Sequence, residues 1–155
     1  MRWVTHLCAP TFLFLAGFVL ALSVARRRAR GKPERTIDGD MFKRGIFIML
    51  LDPLWMRFGF GEGIVLKVLY AIGASFCLMI PLRRLKRRSL LAIALGLIFF
   101  GEGLALWTGV EHKPGLIGTF LLINGPVSQS VYVLYPLLPW LAYMILGWAC
   151  GGYAL

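Results

Sequence analysis

Apolar residues in this chain come in long unbroken runs, and short, dense patches of charge separate them. A helix needs about 20 mostly apolar residues to cross the ~30 Å hydrocarbon core of a bilayer. Five segments approach that length: 7–25, 42–60, 63–80, 90–107 and 131–153. Each is expected to be helical, because an isolated strand would leave its backbone N–H and C=O groups unpaired in lipid. The predicted fold class is all-α: a polytopic integral membrane helix bundle of about five transmembrane helices, a single domain over residues 1–155. One long connection remains, 109–130. Its centre, 116–123, is too short to span and is expected to lie in the interface or dip into the bundle. Turn residues flank it at Pro114-Gly115 and Asn124-Gly125-Pro126.

Composition supports the membrane class. The chain is 59% hydrophobic and 15% charged, with a mean hydropathy of +0.75, against about 45–50% apolar and 25% charged in soluble domains. The net charge of +10 raises the question of nucleic acid. The basic residues, however, sit in clusters between apolar runs, without aromatic interleaving or a nucleic-acid-binding motif. No nucleic-acid partner is expected, and membrane lipid is. Cys8, Cys77 and Cys150 form no CxxC and no metal-ligand spacing, so no metal site is expected and the thiols read as small hydrophobes.

The charge clusters set the orientation. Residues 26–35 hold six of the 17 Lys and Arg, 43–44 hold two more, and 81–89 hold five. The positive-inside rule places the basic loops 26–44 and 81–89 in the cytoplasm. Alternation then puts the N-terminus outside, with spans one, three and five running inward and two and four outward. A cleaved signal peptide is the competing reading of the first span, since Ser23-Val24-Ala25 loosely resembles a cleavage site. There the charge follows the apolar run instead of preceding it.

Ionisable groups at membrane depth are costly and usually face a bundle interior or a cavity. Asp52, Lys67 and Glu102 lie in the outer halves of their spans, Arg57 and Glu62 nearer the rim, and His6 on the rim. Together they predict a polar cavity open to the outside. The candidate catalytic residues are His6, Asp52 and Glu102: histidine titrates near neutral pH, and a buried carboxylate can serve as a base. Lys67, Tyr135 and Trp140 are candidate substrate-binding residues. Each has a structural alternative. Lys67 and Arg57 can snorkel, Asp52 can pair with Lys67 to pin two helices, and Glu102 can sit at the end of a helix shortened by Gly101 and Gly103. Tyr135 and Trp140 can be interface anchors. His112 beside Glu111 in the outer loop is a weaker candidate. Pro136 and Pro139 predict an irregular outer section of the last span, and Gly147, Gly151 and Gly152 suit close helix contacts. The basic cluster 26–35 can also offer a surface to a phosphorylated ligand.

The stretches THLCAPTFLFLAG, KRGIFIMLLD, VLYAIGASF and VYVLYPLLPWLAYMILGWACGGY, in that order, resemble bacterial membrane proteins with the heparan-α-glucosaminide N-acetyltransferase catalytic domain. YPLLPW followed by a glycine-punctuated helix is the most specific piece. The resemblance implies an acetyltransferase of the bacterial cytoplasmic membrane. Its donor would be acetyl-CoA from the cytoplasm, and its acceptor an amino sugar or similar glycan-type molecule on the outer side. Family members carry a span before the HLCAP segment, ending in a loop with an essential histidine, and further spans after YPLLPW. No residue here matches that histidine, and His6 does not occupy its place. The chain is therefore expected to be a fragment of the family's full architecture and inactive alone. A small transporter or channel subunit and a structural membrane subunit are the alternative readings, and self-association is left open.

Overall fold

The computed structural model describes residues 2–60, 64–107, 116–122, 125–128 and 131–153. In chain order these form α1 (Arg2–Ala29), α2 (Glu34–Phe60), β1 (Ile64–Leu66), α3 (Val68–Leu82) and α4 (Arg87–Trp107). Then come α5 (Leu116–Leu121), β2 (Gly125–Ser128), β3 (Val131–Val133) and α6 (Leu137–Gly151). His6, Arg57 and Glu102 are placed by their backbones alone. Glu62, Glu111 and His112 lie outside the described residues.

The first two helices are longer than the apolar runs that predict them. Arginine is a good helix former, and Arg26, Arg27 and Arg28 in the last turn of α1 complement its dipole. Gly31 then turns the chain at φ +72°, where a Cβ is disfavoured. Its N–H donates to the Arg28 carbonyl at 2.9 Å, and that of Lys32 to the Arg27 carbonyl at 3.1 Å. Glu34 enters α2 directly after Pro33. The basic segment 26–44, expected as a connection, is thus mostly helix. At 28 and 27 residues, α1 and α2 are each roughly 40 Å long.

The third and fifth expected spans are shorter helices than the apolar pattern implies. Their leading residues form strands instead. Ile64, Val65 and Leu66 pair in parallel with Val131, Tyr132 and Val133, and β2 adds antiparallel to β3. Residues β-branched or aromatic favour the extended backbone, and mutual pairing satisfies the groups that a lone strand would leave bare. Pro136 holds φ −63° as the N-cap of α6, and Pro139 falls in its first turn, where the missing N–H is tolerated. That leaves α3 and α6 at 15 residues each. Among the described residues one helix, Cys8–Ala29, is long and apolar enough by length and composition to cross a membrane, with mean hydropathy 2.1.

The alternation of direction expected from sequence is present. Helices α1 and α6 run parallel in near-contact: Gly147 meets the Phe14 carbonyl, Gly151 that of Phe18, and Gly17 that of Met144. Glycines four apart on α6 let two backbones approach in this way. Helices α2 and α3 run antiparallel, joined where a Cβ on Gly45 would lie 2.8 Å from the Gly73 carbonyl oxygen. Around these seams Leu13, Leu20, Val24, Met79, Leu90, Met144 and Ile145 form one buried core. Outward faces remain apolar: Phe47, Trp55 and Phe58 on α2 and Phe99 and Phe100 on α4 are well exposed. A surface of this kind suits lipid. One end of the bundle carries the strands, the other the arginines.

Candidate functional site

At the strand end, Asp52 is buried, 5% exposed. Its Oδ2 accepts the backbone N–H of Lys67 at 2.6 Å and that of Tyr70 at 3.1 Å. The first turn of any helix leaves N–H groups without intrahelical partners. Residue 67 is the N-cap of α3 and makes no side-chain cap bond of its own, so a carboxylate from the neighbouring helix supplies the cap. Asp52 and Lys67 do meet, as the pairing alternative expects, but through the lysine backbone. The Leu134 N–H donates to the Leu66 carbonyl at 2.9 Å, which brings the entries of α3 and α6 side by side. The Tyr135 and Trp140 rings pack at a tilt of 58° with centroids 4.8 Å apart, and Trp140 lies 6.1 Å from Tyr143. Tyr70 meets Phe120 of α5 at 6.1 Å.

Four of the six candidates therefore gather at this end: Asp52, Lys67, Tyr135 and Trp140. The other two are placed by backbone alone. Following the Phe14–Gly147 and Phe18–Gly151 register back along α1 and α6 carries the His6 backbone to the level of Pro139. Helix α4 starts with Arg87 beside Gly152 at the arginine end, so its last turns carry Glu102 to the strand end.

The arginine end is built from ion pairs. Arg28 holds Glu34 through Nε at 2.6 Å and Nη2 at 3.2 Å. Arg83, whose side chain is 1% exposed, pairs with Asp38 at 2.5 Å and Glu34 at 2.6 Å. Arg84 reaches Asp38 at 2.9 Å and Arg27 pairs with Asp40. These contacts tie the end of α1, the start of α2 and the end of α3. The Arg28 hydrogen bond, helped by Arg83, pulls the Glu34 carboxyl down from 4.5 to about 2. Desolvation pushes Asp38 upward, but hydrogen bonds from Arg83 and Arg84 outweigh it and its pKa is also lowered.

Both carboxyls thus bind protons less readily folded than unfolded, so their stabilisation is present above the ordinary carboxylate range and lost in acid. Thermal unfolding should show it disappear as pH falls from about 4.5 to about 2. Glu34→Gln should flatten that slope. The change should be small, because the Glu34 side chain is half exposed and such pairs contribute about 0–1 kcal/mol.

Beside this network opens a cavity of about 240 Å³, lined among others by Val24, Arg28, Arg83, Arg87, Leu90 and Trp148. Arg87 is held there by donating to the Gly152 carbonyl, with its guanidinium 3.9 Å from the centre of the Tyr153 ring. This cavity lies at the end opposite to Asp52 and Lys67, around which the outward-opening cavity is expected.

Compared with family models, residues 1–155 match heparan-alpha-glucosaminide N-acetyltransferase, catalytic. The chain belongs to this family. No curated protein and no solved structure matches it. The resemblance read from YPLLPW and the HLCAP segment is thereby shown over the whole chain, and with it an acetyltransferase-like membrane character at the level of the family. Sequence reading missed Glu34, Asp38 and Arg83 as members of this chain's arginine-end architecture. A signal was present for the two acids: they stand four apart at the start of α2, on one helix face, directly after the basic run.

Proposed function

We propose that the chain is a membrane-embedded acetyltransferase-like protein. It would take an acetyl group from acetyl-CoA at its basic, cytoplasmic end and deliver it to an amino sugar or similar acceptor at the strand end, across a bacterial cytoplasmic membrane. The observation that carries this reading is the family match across residues 1–155. The chemistry of the two ends supports it. The phosphates of a CoA-type donor are matched by arginine, whose planar fork makes strong charge-assisted hydrogen bonds. The cavity of about 240 Å³ falls below the roughly 300–1,000 Å³ of pockets that enclose a whole drug-sized ligand. It fits a phosphate end of acetyl-CoA, not the whole molecule. At the strand end, the Tyr135–Trp140 pair offers aromatic faces to a sugar ring and Lys67 a cation. His6, Asp52 and Glu102 are the groups proposed to handle protons there. Acetyl-CoA carries the activated acetyl group; the chain would bind the donor, orient the acceptor and hold a proton near the amine.

The test is the full chain in sealed vesicles, with labelled acetyl-CoA on the face exposing the arginines and glucosamine on the other. Any labelled N-acetylglucosamine should form only with that sidedness; for a chain expected to be inactive alone, donor binding is the deciding readout. Donor binding is read separately by equilibrium dialysis, and a chain that fails to bind acetyl-CoA from either face overturns the reading.

A further inference from the structure

Arg83 is the most buried cation described at the arginine end, and it is incompletely used. Its Nε and Nη2 face Asp38, and Nη2 also meets Glu34. Its Nη1 is buried and makes no hydrogen bond. A guanidinium carries five N–H donors in a rigid fork, so binding one edge to Asp38 leaves Nη1 at a fixed separate corner. A buried charged donor without an acceptor is costly and calls for an unseen partner. Arg83 lines the cavity together with Arg28 and Arg87. Two acids contact these three arginines, Glu34 through Arg28 and Arg83 and Asp38 through Arg83, so the local balance stays positive. Gly152 lets Arg87 lie against the end of α6, because any Cβ there would strike its guanidinium. Apolar Val24, Leu90 and Trp148 complete the wall. Cations with an apolar wall at a helix-bundle end are the chemistry of sites that take phosphorylated headgroups.

We infer that this cavity is a phosphate-binding site, in which Arg83 Nη1, Arg87 and Arg28 hold one phosphate group. An anionic lipid headgroup or the phosphate of a nucleotide-type ligand such as CoA can supply it. The nucleotide source rests on the function proposed above; the lipid source does not, since a lipid phosphate would fill the site in a chain that transfers nothing.

Native mass spectrometry of the full detergent-purified chain tests this, titrating phosphatidic acid, phosphatidylcholine and CoA separately and then in competition. The wild type should retain one phosphatidic acid or one CoA per chain in preference to phosphatidylcholine. Arg87→Gln should weaken that binding about tenfold, the loss of one charge-assisted hydrogen bond. Arg88→Gln, an exposed position off the cavity wall, removes the same charge and should leave binding unchanged. Arg83→Gln disturbs the ion pairs and can unfold the end, so Arg28→Gln, with circular dichroism as the fold control, is the second variant. Phosphatidic acid retained against excess CoA assigns the site to lipid, and its displacement assigns it to the nucleotide. Equal loss in Arg87→Gln and Arg88→Gln, or no preference for the phosphate monoesters over phosphatidylcholine, overturns the proposal.

Discussion

Gly147→Ala is expected to destabilise the bundle by about 3 kcal/mol, at the upper end of what overpacking costs. The added methyl would fall on the Phe14 carbonyl group, and backbone on a neighbouring helix cannot rotate away as a flexible side chain does. Helices α1 and α6 would have to separate, loosening the adjoining contacts of Gly151 and Gly17 along the same seam. The measurement is unfolding of purified protein in mixed micelles, followed by circular dichroism. Gly96→Ala is the matched control. Position 96 lies inside α4, and a Cβ there meets nothing within 4 Å. That substitution should be neutral or stabilise by up to about 1 kcal/mol through helix propensity. Equal behaviour of the two variants would mean that α1 and α6 are not in backbone contact.

Asp52→Ala carries the second large effect, about 2–4 kcal/mol, from two part-buried backbone N–H groups losing their acceptor. Asp52→Asn keeps a side-chain oxygen in place and should lose only about 1 kcal/mol. The pair of variants separates architecture from chemistry. If Asp52 serves only to cap α3, acetyl-CoA binding and transfer in Asp52→Asn should follow its near-normal stability. If the carboxylate also handles a proton, Asp52→Asn will fold and bind the donor yet lose whatever transfer the wild type shows.

The parts of this fold legible in sequence are those governed by hydropathy and charge. The run lengths and basic clusters at 26–35 and 81–89 anticipate helices of alternating direction with Arg28, Arg83 and Arg87 at one end. The prolines at 136 and 139 anticipate the delayed start of α6. What stayed hidden depends on partners far away in the chain. A hydropathy window cannot separate helix from strand when both are apolar, so Ile64–Leu66 and Val131–Val133 read as the first turns of spans until each is seen to pair with the other. The same holds for Asp52, whose acidity at depth signals a site, but whose two described bonds end on the backbone of the next helix. The extension of α1 through Arg28 and the start of α2 at Glu34 depend on local capping and cross-helix ion pairs, which charge counting alone reads as a loop.

The pairing of α1 with α6 also dictates an order of events at birth. The segment holding Phe14 and Gly17 leaves the ribosome more than a hundred residues before Gly147 does. Helices α2 and α3, neighbours in the chain, can zip together while synthesis continues, but α1 must wait with its glycine face uncovered. Docking of α6 is thus the step that covers the Gly17 face of α1, and a ribosome stalled before residue 137 would leave that face exposed to quality-control proteases.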